Sequence, residues 1–187
     1  MENLFRYFDQ FTQLNARIQE VLSGLIEEVH LPKKHLLFEQ GSICKDLYFI
    51  EKGAARIFYV KDGKDVTTSF GFEGRIVSAF DSIFSRNPSN YNIELLEDSK
   101  IYKLHFPDVE NLFNNFPQIE RLWRNIITDN FMLVEERLKL LQFNTAKEKY
   151  DQLLNQVPDI INRVSVTHLA SYLGVAQETL SRIRAKF

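Results

Sequence analysis

Near the end of the chain, Gln177, Glu178, Ser181 and Arg182 are spaced so that a helix carries them at i, i+1, i+4 and i+5, on one face. That set suits the exposed edges of base pairs. Arginine donates two hydrogen bonds to guanine and glutamate accepts one from the cytosine amino group, so Arg182 and Glu178 are the candidate base readers. Thr179, Ser171 and Gln177 carry the hydroxyl and amide groups that hold phosphates and fix register, and Gln177 suits either task.

Such a face needs a scaffold, and residues 165–184 read as helix, turn, helix. Ser165 is an N-cap, Leu169 and Leu173 lie one turn apart on the buried side, Ala170 permits a close crossing, and Gly174 makes the turn. Val175, Leu180 and Ile183 then point inward. Ala176, at the N-cap of the second helix, lacks the side-chain acceptor usually worth about 1 kcal/mol. Glu178 offsets part of that through the helix dipole. A plain helical hairpin with a solvated polar face would look the same in isolation, so the flanking pattern decides.

Upstream, residues 2–29 read as one or two amphipathic helices, with Leu4, Phe8, Phe11, Ile18, Leu22, Leu25 and Ile26 at three- and four-residue spacings. From Leu31 to Leu104 the period becomes two. Strands are expected at 36–38, 47–50, 55–60, 66–70, 92–96 and 100–104, with Asp62-Gly63 forming a tight hairpin. Short strands at this spacing indicate a sandwich, jelly roll or barrel.

After Phe106-Pro107 the helical period returns at 109–116, and again from Pro117, a favoured first-turn residue, to Phe143. In that long segment Trp123, Ile127, Phe131, Val134, Leu138 and Leu141 form a near-heptad seam beside a second stripe of Ile126, Leu133 and Leu140. A helix of about 25 residues reaches nearly 40 Å, more than a small β domain covers, so the seam is expected to pair two copies of the chain. A further helix is expected at 146–157, before Pro158.

The composition fits this plan. With 44% hydrophobic and 26% charged residues over 187 positions, the chain supports a globular core and is not disordered. The net charge of −2 argues against nucleic acid as a sum, but Arg163, Arg182, Arg184 and Lys186 face only Glu178 in the tail, so an acidic body carries a basic end. One cysteine, Cys44, excludes a disulfide framework and a thiolate metal cluster. The acidic, aromatic N-terminus does not read as a signal peptide, and no run approaches the roughly 18 apolar residues of a membrane span, so a cytoplasmic location without membrane partners is expected.

The order of parts, with Gly41, Tyr48-Phe49-Ile50 and Lys52-Gly53 early in the β region, the long helix, and Glu178-Thr179-Leu180-Ser181-Arg182, resembles the Crp/Fnr family over essentially the whole length. The resemblance implies an α+β fold: N-terminal helices and an antiparallel β-roll of the cyclic-nucleotide-binding, jelly-roll type over 1–116, a dimerisation helix over 117–143, and a helix-turn-helix DNA-binding domain over 144–187. It implies a homodimer on double-stranded DNA, transcription regulation with RNA polymerase as partner, and an unidentified small-molecule effector. The family's Glu-x-x-Ser-Arg pattern falls on Glu178, Ser181 and Arg182, and implies a half-site with a Thy-Gly-Ala-like core.

The departures matter as much. Nucleotide-binding members carry a Gly-Glu pair and then Arg-Ser-Ala for the cyclic phosphate, whereas residues 74–91 have no Gly-Glu and place Ser89 where the arginine is expected. A buried phosphodiester without a cation lacks its main partner, so no cofactor is expected and cyclic-AMP binding is not anticipated. Arg75, Arg86, Ser89 and Asn90 remain the candidates for an effector pocket. The four histidines, His30, His35, His105 and His168, show no haem pattern. The sequence stops at Phe187, directly after the second helix, where many family members continue into a β-hairpin wing, so no wing contacts to the DNA backbone are expected from these residues.

Two other classes compete. A cupin-like metal enzyme needs convergent ligands, but His30 and His35 are separated by an odd interval and Pro32 lies between them. No phosphate loop, nucleophile elbow or His-Glu-x-x-His motif occurs, and no catalytic or metal-binding residues are assigned. A ligand-sensing or protein-interaction module without DNA binding would fit the acidic net charge.

Overall fold

The computed structural model describes residues 1–185; Lys186, counted above in the basic tail, lies outside the described residues. Two short helices open the chain, α1 (Glu2–Asp9) and α2 (Ala16–Ser23), the second capped by Asn15, whose side chain accepts from the Ile18 N–H at 3.0 Å. The helical reading to residue 29 fails at Gly24. Strand β1 (Ile26–Leu31) follows and pairs residue for residue with the last strand, Ile26 opposite Leu104 and Leu31 opposite Ser99. The spacing of Ile26 and Val29 suits a helix, but a six-residue ladder satisfies the backbone against a strand remote in sequence.

The remaining strands are β2 (Leu36–Phe38), β3 (Asp46–Lys52), β4 (Ala55–Lys61), β5 (Lys64–Gly71), β6 (Ile76–Val77), β7 (Asn92–Leu95) and β8 (Ser99–His105), with helix α3 (Phe80–Ser85) between β6 and β7. They form two four-stranded antiparallel sheets, ordered β1-β8-β3-β6 and β2-β7-β4-β5. The expected hairpin is present: Lys61 pairs with Lys64 across Asp62 and Gly63, whose φ angles of 52° and 72° are both left-handed. Gly53 is required where it turns the chain from β3 to β4. Its φ is 113°, and a Cβ there would lie 2.1 Å from Ser99 Oγ.

Helix α4 (Phe106–Glu110) begins earlier and ends sooner than the periodicity over 109–116 suggests, because Pro107 starts a helix readily at its first turn. The long helix α5 (Pro117–Phe143) has the expected limits. Beyond it come α6 (Ala146–Gln156), closed by a Thr145–Glu148 capping box, a short α7 (Ile160–Arg163), then α8 (Val166–Leu173) and α9 (Gln177–Arg184).

Two apolar clusters hold these parts. The larger joins α1 and α2 to the inner faces of both sheets and to the start of α5, through Ile119, Leu122, Trp123 and Ile126. Trp123, expected on the intermolecular seam, is thus a core residue of its own chain: it is 4% exposed and meets Phe106 edge to face at 5.6 Å. The smaller cluster belongs to α6 to α9 but also takes in Ala54 and Leu96, with Phe70 and Phe72 packed against it. The terminal helices therefore share their core with the β-roll.

Candidate nucleic-acid interface

Helix α8 starts at Ser165, whose hydroxyl accepts from the His168 N–H at 3.2 Å, and ends at Gly174, with φ 64° and ψ 37°. Leu169, Leu173 and Leu180 are fully buried between α8 and α9. This packing turns Gln177, Glu178, Ser181 and Arg182 to the exterior, with Thr179 half-buried beside them. Gln177 accepts from the Thr167 hydroxyl at 3.2 Å. The side chains of Glu178, Ser181 and Arg182 have no partner among the described residues, and Ala176 provides no side-chain cap, so the first N–H groups of α9 stay free for an anion.

Two polar side chains expected to favour DNA are spent elsewhere. Ser171, read as a phosphate ligand, faces the β-roll: its hydroxyl accepts from the Thr67 N–H at 2.9 Å and lies 3.4 Å from the Asp65 carbonyl. Arg163, counted in the basic tail, is an internal clamp, 2.8 Å from Glu73, 2.5 Å from Glu97 and 3.7 Å from Asp159. The described cations left on the terminal helix are Arg182 and Arg184.

The same docking explains an unusual charge cluster. Arg56, only 5% exposed, pairs with Asp65 at 2.7 Å and Glu94 at 2.8 Å and lies 3.8 Å above the Phe58 ring. His168 on α8 is half-buried nearby, its Nδ1 without a partner. Burial, and then the Arg56 charge, hold its pKa below the ordinary 6.5, against the opposing pull of Asp65 and Glu94. A depressed histidine stabilises the fold fully above the unfolded value and loses that contribution as pH falls through the folded one. Melting between about pH 7.5 and 5 is therefore expected to show a decline that His168→Asn diminishes; identical pH profiles for the two proteins would contradict it.

Helix α5 divides into two halves. Up to Ile126 it packs on the β-roll; beyond that most of its apolar side chains are open, Phe131 and Val134 at 66% and Phe143 at 78% exposure, with Leu138 and Leu141 also exposed and Ile127 half-buried, whereas Leu140 is buried. Five of the six seam positions thus stand apart from the core, and Trp123 does not.

The expected effector residues do not converge. Arg75 pairs with Asp129 at 3.2 Å, and Arg86 pairs with Glu110 at 3.3 Å on the surface, where Asn90 is also exposed. Ser89 is 2% exposed and donates to the Asp81 carboxylate at 2.9 Å, while its N–H and carbonyl bond to Ser42 and Gly41. Ser89, expected where the phosphate arginine would stand, thus faces a carboxylate. Among the described residues no group of three or more His, Cys, Asp and Glu side chains is placed to hold a metal ion.

Comparison with known proteins agrees with this architecture. A family model described as the cyclic nucleotide-binding domain matches residues 28–116. The chain is similar to the transcriptional activator protein FnrA of Stutzerimonas stutzeri, 24% identical over 93% of this chain and 76% of that protein. It is likewise similar to the transcriptional regulatory protein btr of Bordetella pertussis, 24% identical over 90% of this chain and 74% of that one. In fold it matches FixK2 from Bradyrhizobium japonicum, with a TM-score of 0.73 at 20% identity, covering 86% of this chain and 83% of that structure. A Crp/Fnr-family regulator from Eubacterium rectale matches with a TM-score of 0.74 at 16% identity over 97% and 87%. A cyclic-nucleotide-binding-type β-roll, one long helix and a terminal helix-turn-helix follow one another along the chain. The chain thus carries a region matching the cyclic nucleotide-binding domain and is similar over most of its length to named transcriptional regulators.

Proposed function

We propose that the chain is a sequence-specific DNA-binding transcription regulator that acts as a homodimer, each α9 entering one major groove. The observation that carries this reading is the outward face of Gln177, Glu178, Ser181 and Arg182, the last three without a side-chain partner among the described residues, on a helix whose other side is buried. The open second half of α5 supports pairing of two copies, and the comparisons support a binding rather than a catalytic role. RNA polymerase is the partner expected on the DNA, and the cytoplasm the location; no helix among the described residues is long and apolar enough to cross a membrane. The residue limits 1–116, 117–143 and 144–187 serve as working boundaries for the sensor, dimerisation and DNA-binding parts.

A signal other than a cyclic nucleotide held in the family's manner fits this reading, since Ser89, expected where the phosphate arginine would stand, donates to the Asp81 carboxylate. The test is retention of genomic fragments by the purified protein over a salt series. Selected fragments should be retained with an affinity that falls with salt, since phosphate contacts release counterions. Because Arg163 is clamped to Glu73 and Glu97, Arg163→Ala should leave the salt slope unchanged while lowering stability. Negligible, salt-insensitive retention would favour an interaction module without DNA binding.

A further inference from the structure

Helix α8 turns His168, Ser171 and Tyr172, at i, i+3 and i+4, toward the β-roll as one stripe. Strand β5 is the edge of its sheet, and an edge strand leaves a row of backbone groups unpaired. The stripe closes part of that row. Thr67, buried in β5, donates its N–H to the Ser171 hydroxyl at 2.9 Å, and the Tyr172 ring lies 5.0 Å from that of Phe70.

His168 is the member of the stripe that can change charge near neutrality. The charges acting on it are Arg56 from β4, Asp65 from β5 and Glu94 from β7. Both carboxylates are already bound to Arg56, at 2.7 and 2.8 Å. The other elements packed around α8 bring no free acid toward it among the described residues. Helix α6 turns in Lys149 and Tyr150, and α9 turns in Leu180, with Glu178 and Arg182 outward and Arg184 half-buried. Arg163 at the end of α7 is held by Glu73, Glu97 and Asp159. From α5, Arg137 lies 3.7 Å over the Tyr172 ring, its Nη1 buried without a hydrogen-bond partner.

We propose that His168 is a pH-sensitive latch between reader and β-roll: neutral, it lets α8 dock on β4 and β5; protonated, it sets a second cation beside Arg56, and α8 leaves the strand edge. Both ring nitrogens of an imidazolium are donors, so the buried, unpartnered Nδ1 would then carry a proton with no acceptor. The dock is complete above the ordinary histidine value of 6.5 and weakens as pH falls from there to the lower docked value, by up to about tenfold per pH unit. In the docked arrangement α9 shows its outward face, so release costs the fixed spacing that paired half-sites require. Acid therefore weakens DNA binding, the reverse of what added positive charge alone does. That consequence rests on the proposed regulatory function, whereas the latch itself does not.

The test is hydrogen exchange of the full chain, followed by NMR between about pH 7.5 and 5 and corrected for the intrinsic exchange rate. The Thr67 amide should lose about tenfold or more of its protection while the amides of β3 keep theirs, and His168→Asn should hold Thr67 constant. In the unaltered protein the loss should share its midpoint with the titration of the His168 ring signals, a readout that needs no variant. Thr67 protection that ignores pH, falls equally in His168→Asn, or falls together with β3 as the whole fold opens would overturn the latch. Gel shifts over the same range should show affinity falling about tenfold in the unaltered protein and holding in His168→Asn. Affinity that stays constant or rises while Thr67 loosens would overturn the control of DNA binding. Loosening that follows His168 in a protein that retains no DNA at any pH would uphold the latch and count against the regulator reading alone.

Discussion

Leu138→Glu is expected to convert the protein from a dimer to a monomer and to abolish high-affinity DNA binding while leaving the fold intact. Leu138 lies on the open half of α5, among Phe131, Val134 and Leu141, and is 52% exposed, so a glutamate there meets water in the single chain and costs little. In a helix pair the same side chain lies in the seam, and by symmetry the change occurs twice. Two carboxylates forced into an apolar seam should cost about 3 kcal/mol or more, a dimer weakened at least about a hundredfold. DNA affinity should fall further, because a monomer loses the effective concentration that lets the second half-site bind. Sedimentation at tens of micromolar and a gel-shift titration read the two effects. Trp123→Ala is the instructive contrast: Trp123 is buried against Phe106, so the loss should appear as about 3 to 5 kcal/mol of fold stability. A Leu138→Glu protein that remained dimeric with undiminished DNA affinity would remove the α5 seam from the account.

The misplacement of Trp123 shows where sequence periodicity stops being informative. Positions 123, 127, 131, 134, 138 and 141 form one continuous stripe, yet the β-roll covers its first turns and leaves the rest open. Spacing specifies a face, not what lies against it. Strand β1 was illegible for a related reason, since Ile26 and Val29 satisfy a helical spacing and only pairing with β8 makes them a strand. Helix α7 and strand β6, at four and two residues, are too short to show any period. By contrast, the Asp62-Gly63 hairpin, the limits of α5 and the Ser165 and Gly174 boundaries of α8 were legible because each rests on local chemistry.

The candidate interface divides in the same way. The outward direction of Glu178, Ser181 and Arg182 follows from the burial of Leu180 four residues or fewer away, and was readable. The diversion of Ser171 and Arg163 into the β-roll was not, because Thr67, Glu73 and Glu97 are distant in sequence and nothing local announces the contact. The orphaned Nη1 of Arg137 left no trace either: an arginine on a polar-rich helix reads as solvated until Tyr172 is seen to cover it.

Arg182→Ala is expected to cost about 1 to 3 kcal/mol per half-site, roughly five- to 150-fold each, and to do so selectively. Arg182 is exposed on α9 beside Glu178 and has no internal partner among the described residues, so its removal should leave the fold and the dimer untouched. A guanidinium that bridges the two acceptors of one guanine discriminates at that base pair alone. Competition among fragments differing at single positions should therefore show one position becoming indifferent while the others keep their order. Arg184→Ala supplies the comparison. Placed at the end of α9 and half-buried, Arg184 is suited to a phosphate, and its loss should weaken all fragments alike while reducing the salt slope by about one per half-site. If Arg182→Ala instead weakened every fragment by the same factor with a reduced slope, Arg182 would be a backbone contact and the reading of bases would pass to Gln177 and Glu178. If it changed neither affinity nor ranking, α9 would not be the reading helix.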